Sequence, residues 1–329
     1  MIALLPKAEL HVHLDGTLTP DLVKQLALQH HITIDPKIFS KDGKHFFWEN
    51  FSQFHQVFTE AFQVIRSSAD YQLLTYLYLQ SLAEQNCLYA ELIVSPFHAR
   101  FNNTSYEKML QGIIAGIDQA RAEYGIEARI LMAFLRQNGP NAASYYVDEV
   151  IQNQHPYVVG VNLVGDIKEF EIKTFDKIFA RAQNAGLGIS CHAGEIDGGP
   201  EEVWQAIQAL GASRISHGVR SIEDPALVNY LCENKILLEI CPTSNIVLNM
   251  YPNYASHPLK ALWAAGIPIC INTDDPGFFN TQLNQEYQIA QQYAGLSNQD
   301  LLLATKQALE YAFVDEPTKK RLLARLAAA

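Results

Sequence analysis

The chain has 329 residues, of which 48% are hydrophobic and 18% are charged, and its formal net charge is −11. This composition indicates a globular protein with a large core, and the negative charge argues against a nucleic-acid surface, which needs clustered lysine and arginine. There is no run of about 18 apolar residues and no N-terminal signal-type stretch, so we expect a cytoplasmic protein without a membrane partner.

Short apolar runs alternate with longer amphipathic segments along the chain. The predicted strands are 8–14, 88–95, 128–135, 158–163, 188–192, 214–216, 236–240 and 267–271. The predicted helices between them include 71–85, 106–124, 175–185, 201–210, 225–233 and 258–265. Eight such βα units predict a closed (β/α)8 TIM barrel that spans residues 1–329 as one domain. An open doubly wound sheet is the alternative, but no glycine-rich GxGxxG turn follows the first strand.

The long segment between the first two predicted strands is rich in phenylalanine. Phe51, Phe54, Phe58 and Phe62 follow the spacing of one helix face. They fit the ordinary packing of a helix onto the barrel, which we slightly favour for most of them. They also fit an apolar lid that excludes water from a ligand. The fold prediction therefore includes a helical lid insertion after the first strand.

The first predicted strand carries His11, His13 and Asp15 at alternating positions. Because side chains alternate along a strand, all three point to one face. Residues i and i+2 lie about 6.6 Å apart along a strand, so two imidazoles can bind one metal ion at about 2.0–2.1 Å. Taken alone, the pattern also fits a strand with a polar face.

Other polar residues cluster at the downstream ends of the later strands. They are Gly165 and Asp166 after the fourth, His192 and Glu195 at the fifth, His217 at the sixth, 243–245 after the seventh, and Asn272, Asp274 and Asp275 at the eighth. In a barrel these strand ends meet at one face, where active sites form. The same residues taken singly fit structural histidines, an acidic helix start and a turn.

Zinc takes about four ligands, and a catalytic zinc leaves one position for water, whose pKa it lowers toward about 7. The predicted ligands are His11, His13, His192 and Asp274. His217 is a candidate base or orienting group and Glu195 a candidate acid, each worth about 10²–10⁴ in rate. Related barrel hydrolases with two metals usually need a bridging carboxylated lysine at the end of the fourth strand, and the nearest lysine here, Lys168, lies past that end. We therefore expect one zinc ion per chain.

Residues 6–16, 192–195, 216–218 and 272–276 resemble the four signature segments of the adenosine/adenine deaminase family, in order and spacing, over nearly the whole chain. The resemblance implies a zinc-dependent (β/α)8 enzyme that hydrolyses the 6-amino group of a purine and releases ammonia. It implies the four zinc ligands named above. Glu195 would protonate purine N1, His217 would orient and deprotonate the attacking water, and Asp275 would hydrogen-bond to N7.

The resemblance also implies substrate contacts on the far side of the purine. The Gly165 backbone N–H would reach N3, and Asp15 would accept a hydrogen bond from a ribose hydroxyl. Phe51, Phe54 and Phe58 would lie on the family's lid helix.

The substrate expected from this pattern is a nucleoside. Asp15 and the pair Gly165–Asp166 resemble the nucleoside-specific members, so we expect adenosine, with 2′-deoxyadenosine, to be converted to inosine. Segment 42–58 departs from that pattern and leaves adenine or a modified nucleoside such as aminodeoxyfutalosine as alternatives. An inactive barrel that binds a nucleoside is a more remote alternative. A nucleotide is less favoured, because no group of lysine and arginine residues lies beside the motifs to hold a phosphate, although Arg220 lies close to one of them. We expect a monomer or a weak homo-oligomer.

Overall fold

The computed structural model describes residues 2–165 and 169–328, and at Phe51 the backbone alone. In this part of the chain, eight parallel strands follow one another in sequence order within one sheet. They are β1 (Lys7–His13), β2 (Cys87–Val94), β3 (Glu127–Leu135), β4 (Val158–Val164), β5 (Gly188–Ala193), β6 (Arg214–His217), β7 (Leu237–Ile240) and β8 (Ile269–Ile271).

The sheet closes on itself between its first and last strands. Val12 and Asp274 form a parallel bridge, and the His13 N–H donates to the Asp274 carbonyl oxygen at 2.9 Å. Asn272 adds a side-chain link, because its Oδ1 accepts the Leu10 N–H at 2.8 Å. The predicted (β/α)8 TIM barrel is thus confirmed.

Helices fill the connections between successive strands and extend the chain beyond β8. Within the described ranges they are α1 (Pro20–His30), α2 (Phe51–Phe62), α3 (Ser68–Glu84), α4 (Pro96–Phe101), α5 (Tyr106–Tyr124), α6 (Gly139–Gln152), α7 (Asp176–Asn184), α8 (Pro200–Leu210), α9 (Pro225–Glu233), α10 (Pro242–Val247), α11 (Leu259–Ala264), α12 (Pro276–Phe279), α13 (Leu283–Ala294), α14 (Asn298–Tyr311) and α15 (Glu316–Ala327). None of these described helices is both long enough and apolar enough to cross a membrane.

The strands are buried on both faces, as expected for a parallel sheet covered by helices. Every residue of β2 is buried, so its sequence reads as a nearly continuous apolar run. The interior also holds a charged cluster: Arg214, which is fully buried, pairs with Glu91 at 2.6 Å and with Glu239 at 2.7 Å. This cluster joins β2, β6 and β7 inside the barrel.

Helix α2 is the insertion predicted from the phenylalanine spacing. It begins after Asn50, whose side-chain oxygen accepts the Gln53 N–H at 3.0 Å and so satisfies one free donor of the first turn. Phe54 is buried, and its ring lies 5.4 Å from the Phe279 ring and 5.9 Å from the Phe278 ring, both on α12. The helix is therefore packed across the face where the strands end.

Candidate active site

The carboxyl ends of the strands open into a cavity of about 350 Å³. The sequence-predicted residues that line it are His13, Asp15, Phe54, Phe58, Gly165, His192, Glu195, His217, Asp274 and Asp275. His11 lies beneath them and is fully buried. Strand ends that are far apart in the sequence thus meet around one space.

Three histidines and one aspartate converge at the floor of the cavity. The Nε2 atoms of His11 and His13 each lie 3.2 Å from Asp274 Oδ1, and His13 Nε2 lies 3.3 Å from His192 Nε2. Donors that bind one zinc ion at about 2.0–2.2 Å in a tetrahedron are about 3.3–3.6 Å apart. The donor types and their spacing are those of a divalent-metal site.

Neighbouring polar groups hold these side chains in place. His192 Nδ1 lies 2.9 Å from Asn162 Oδ1, and His11 Nδ1 faces the Glu239 carboxylate at 3.4 Å. Ser244 donates its hydroxyl to Asp274 Oδ2 at 2.7 Å. Such partners fix the ring orientation of a metal-binding histidine and leave its other nitrogen facing the site.

The backbone at two of the site residues is strained. His217 has φ of 63° and Asp274 has φ of 68°, values in the left-handed region that side chains other than glycine rarely adopt. Strain of this kind costs about 1–3 kcal/mol and occurs often at functional sites. His217 is the last residue of β6 and Asp274 follows β8, and residue type alone does not indicate this backbone conformation.

Glu195 and His217 lie next to each other beside the metal-type cluster. His217 Nε2 is 3.4 Å from Glu195 Oε1 and 3.9 Å from Asp274 Oδ2. Burial raises the pKa of the Glu195 carboxyl to about 8, and the charge of Asp274 acts in the same direction. Burial lowers the pKa of His217 to about 3. At neutral pH, Glu195 therefore carries a proton and His217 is neutral.

The pKa values of the adjacent acids Asp274 and Asp275 shift in opposite directions. Burial would raise the pKa of Asp274, but the adjacent imidazoles of His11 and His13 hold it well below its usual range. Burial and the neighbouring Asp274 charge raise the pKa of Asp275 well above its usual range. Gly16 leaves room for Asp275, since a Cβ at Gly16 would overlap Asp275 Oδ1.

The cavity is strongly acidic. Its lining includes the side chains of Asp15, Glu195, Asp197, Glu202, Asp274 and Asp275. None of the described lining residues is lysine or arginine. Burial lowers the pKa of His13, but the charges of Asp275, Asp274 and Asp15 outweigh that effect and raise it to about 9. The ionised Asp274, together with the lack of lysine and arginine among the described lining residues, favours a cation over a phosphate.

Asp15 is held by a residue that the sequence analysis did not single out. His98, on α4, lies with Nδ1 2.7 Å from Asp15 Oδ2, while the buried Asp15 Oδ1 has no hydrogen-bond partner. The His98 ring packs against Phe58 and Phe62, at centroid distances of 5.9 and 5.4 Å. The sequence gives one indication of this role, which is the position of His98 near a strand end. It lies three residues after Ser95, the first residue beyond β2.

Two of the remaining predicted residues, Gly165 and Phe58, also line the cavity. Gly165 ends β4 with φ of 100°, and a Cβ there would overlap the Gln137 side chain, so the position requires glycine. Phe58 lines the cavity together with Phe54. The side chain of Phe51 and the whole of Asp166 fall outside the described residues.

Comparison with known proteins places the chain in a family. The profile of the family described as adenosine deaminase matches residues 6–329. The chain belongs to this family.

A relative from Agrobacterium fabrum (strain C58) named adenine deaminase is 43% identical over 326 residues, which cover 99% of each chain. Among solved structures, adenine deaminase from Arthrobacter aurescens matches with a TM-score of 0.89 and 25% identity, over 98% of each chain. An amidohydrolase with bound zinc from Burkholderia ambifaria shares the fold, with a TM-score of 0.87 and 24% identity, over 100% of this chain and 94% of that one.

These comparisons correct the expected substrate. Adenosine was predicted from Asp15 and Gly165–Asp166, and that prediction is wrong: relatives that match almost the whole chain at 40% and 43% identity are named adenine deaminase. At Asp15 the structure shows one carboxylate oxygen, Oδ2, next to His98 Nδ1, and the other, Oδ1, buried without a hydrogen-bond partner. A ring N–H of a free base can donate to Oδ1, so the presence of an aspartate here does not by itself indicate a ribose contact.

Proposed function

We propose that this protein hydrolyses adenine to hypoxanthine and ammonia. The observation that carries the proposal is the cavity itself, where a metal-type cluster, the protonated Glu195 and the unpartnered Asp15 oxygen surround one space. Membership of the deaminase family and the names of the relatives support the same reaction.

The residues that would hold one zinc ion are His11, His13, His192 and Asp274. His11 fits this role because it is fully buried and neither ring nitrogen makes a well-formed hydrogen bond. Zinc at this position would lower the pKa of a water molecule toward about 7 and supply a nucleophile at neutral pH.

His217 is a rival to His13 as a ligand, since donor atoms of His11, His192, His217 and Asp274 all lie within 4.8 Å of one another. The shorter contacts favour His13. Its Nε2 lies 3.2 Å from Asp274 Oδ1 and 3.3 Å from His192 Nε2, whereas His217 Nε2 is 3.9 Å from Asp274 Oδ2. In this proposal His217 orients the attacking water instead of binding the metal.

Two carboxyl groups whose pKa values are raised, Glu195 and Asp275, suit the two ring nitrogens of the purine that need a donor. Glu195 would donate to N1, which makes C6 more electrophilic as water adds there. Asp275 would donate to N7, and its raised pKa keeps the necessary proton in place. Gly165, at the end of β4, offers its backbone N–H to N3.

Asp15 would distinguish the free base from a nucleoside. Adenine bears an N–H at N9 when N7 is an acceptor, and a nucleoside has a sugar at that nitrogen. The unpartnered Asp15 Oδ1 is an acceptor for this N–H, with the carboxylate held by His98. A hydrogen bond to a charged group contributes about 1.5–3 kcal/mol, which corresponds to about 10–150-fold in kcat/KM.

The proposal is tested by measuring ammonia release from adenine, adenosine and 9-methyladenine with the zinc-loaded protein. We expect adenine to react with a kcat/KM at least about tenfold above that of either 9-substituted compound. Equal rates with adenosine, or no ammonia from adenine, would contradict it.

A further inference from the structure

His217 is in contact with a chain of buried polar groups on the side away from the cavity. Its Nδ1 lies 3.3 Å from the Asn245 side-chain nitrogen Nδ2. The other end of that amide, Oδ1, lies 3.0 Å from His257 Nε2, and His257 Nδ1 accepts the Leu259 backbone N–H at 3.1 Å. His217, Asn245 and His257 are all buried.

The direction of every hydrogen bond in this series of buried groups follows from the last one, between the Leu259 N–H and His257 Nδ1. A backbone N–H can only donate, so His257 Nδ1 must present a lone pair. Burial lowers the pKa of His257 to about 4, so the ring is neutral and carries its single proton on Nε2. That proton is donated to Asn245 Oδ1, which leaves the amide NH₂ group facing His217.

A second neighbour supports this orientation of the amide. Asn245 Nδ2 also lies 3.2 Å from the Met250 sulfur. A thioether sulfur can accept a hydrogen bond but cannot donate one, so it matches an NH₂ group.

His217 must therefore accept at Nδ1, because the amide nitrogen of Asn245 is a donor only. A neutral imidazole with its lone pair at Nδ1 carries its proton on Nε2. That atom faces Glu195 and Asp274 at the cavity, and it is buried without a hydrogen-bond partner in the protein. It is an N–H group positioned to donate into the site.

His192, one of the proposed metal ligands, carries its proton on the other ring nitrogen. Its Nδ1 faces the oxygen of Asn162 at 2.9 Å, while the nitrogen of Asn162 donates to Ser216 Oγ at 3.0 Å. The proton of His192 is thus held on Nδ1, and the Nε2 lone pair faces the metal-type cluster. One asparagine presents its oxygen to a histidine and the other presents its nitrogen, so the two rings differ in what they offer to the cavity.

We infer that Asn245 and His257 are positioning residues that fix the tautomer of His217, so that His217 donates a hydrogen bond from Nε2 to the attacking water and does not take its proton. The inference rests on the proposed function for the identity of the water's target. His217 still orients the attacking water, as predicted from the sequence, but it does not act as the base. The inference concerns the direction of one hydrogen bond, and no proton passes through His217.

The test is ¹⁵N NMR of the zinc-loaded protein labelled at histidine. The chain has 11 histidines, and the His217 ring signals are those missing from the spectrum of His217→Gln. We expect a protonated Nε2 and an unprotonated Nδ1. A proton on Nδ1, or on both nitrogens, would overturn the inference, and this measurement requires no folded Asn245 or His257 variant.

Asn245→Asp tests the cause, because a carboxylate in place of the amide nitrogen is an acceptor and would draw the His217 proton to Nδ1. We expect the two ring signals to exchange character. We also expect kcat for adenine to fall by about 10²-fold, as for loss of one oriented donor, with KM unchanged, since neither Asn245 nor His257 is among the described residues that line the cavity. A folded Asn245→Asp protein with the proton still on Nε2 would contradict the inference.

His257→Gln and His257→Leu form a matched pair. The glutamine amide can donate to Asn245 Oδ1 in place of the imidazole and should preserve the His217 tautomer, whereas leucine removes the donor and should give a mixture. Identical spectra for the two would contradict the role of His257. Because the tautomer is read without substrate, failure to hydrolyse adenine alongside the expected spectrum would remove the proposed function alone.

Discussion

Glu195 and Asp275 show how burial changes the pKa of individual side chains. Both lie in the acidic cavity, and burial together with the Asp274 charge raises the pKa of each. The sequence indicates that carboxyl groups lie at these strand ends, but it does not indicate which of them are protonated. That depends on distances to Asp274, which only the folded barrel sets.

Glu195→Gln should retain zinc and lower kcat for adenine by at least about 10²-fold, because glutamine keeps the size of the side chain but has no proton to give. Steady-state kinetics with metal analysis would measure both effects. Near-normal turnover would remove Glu195 from the acid role.

The same residue predicts a pH dependence. Glu195 must be protonated to act as an acid, so kcat/KM for adenine should fall as the pH rises through its pKa, which burial raises to about 8. The residual activity of Glu195→Gln should lack this basic limb. A wild-type profile that stays flat well above pH 8 would count against the assignment.

Asp15→Asn tests the choice of substrate. The change removes the charged acceptor and should lower kcat/KM for adenine by about 10–150-fold, while the already slow 9-methyladenine should be little affected. Parallel kinetics on the two compounds measure the difference. An equal loss of kcat/KM for adenine and 9-methyladenine would show that Asp15 does not bind the N9–H group.

At the scale of elements, the strands were predictable because a parallel sheet buries both faces and leaves long apolar runs. Seven of the eight observed strands begin and end within one residue of the predicted bounds. The eighth is shorter at its start, since it begins at Ile269 and Pro268 has no N–H to donate to a strand ladder.

The contacts between elements could not be predicted in the same way. His98 and Asn245 reach Asp15 and His217 across 83 and 28 residues of sequence. No local pattern specifies such pairs, because they depend on how two connecting segments fold over the strand ends. The metal-type cluster could be predicted from the sequence only because its residues lie at strand ends, which a barrel brings together.

Helix α2 both packs on the barrel and lines the cavity. Phe54→Ala should lower the free energy of unfolding by about 3–5 kcal/mol, because the ring is buried against Phe278 and Phe279. It should also raise KM for adenine, since Phe54 lines the site. Urea denaturation and kinetics would report the two effects. An unchanged stability would show that α2 rests only loosely on α12.

At the scale of the whole molecule, the Arg214 cluster joins three strands of the barrel interior. Arg214→Met would leave Glu91 and Glu239 buried without their cation, and we expect a loss of about 3–5 kcal/mol in the free energy of unfolding. Arg121, whose pair with Asp118 is largely exposed, provides the control: Arg121→Ala should cost less than about 1 kcal/mol. Similar urea midpoints for the two variants would contradict a structural role for the cluster.

The central claim is that side chains from distant parts of the chain hold one catalytic zinc ion at the strand ends. Diffraction from crystals of the zinc-loaded protein at the zinc absorption edge tests it most directly. We expect one anomalous peak per chain, bound by His11, His13, His192 and Asp274 and close to the Nε2 atom of His217. No peak at this position, or a peak with His217 in place of His13 as a ligand, would contradict the proposed metal site.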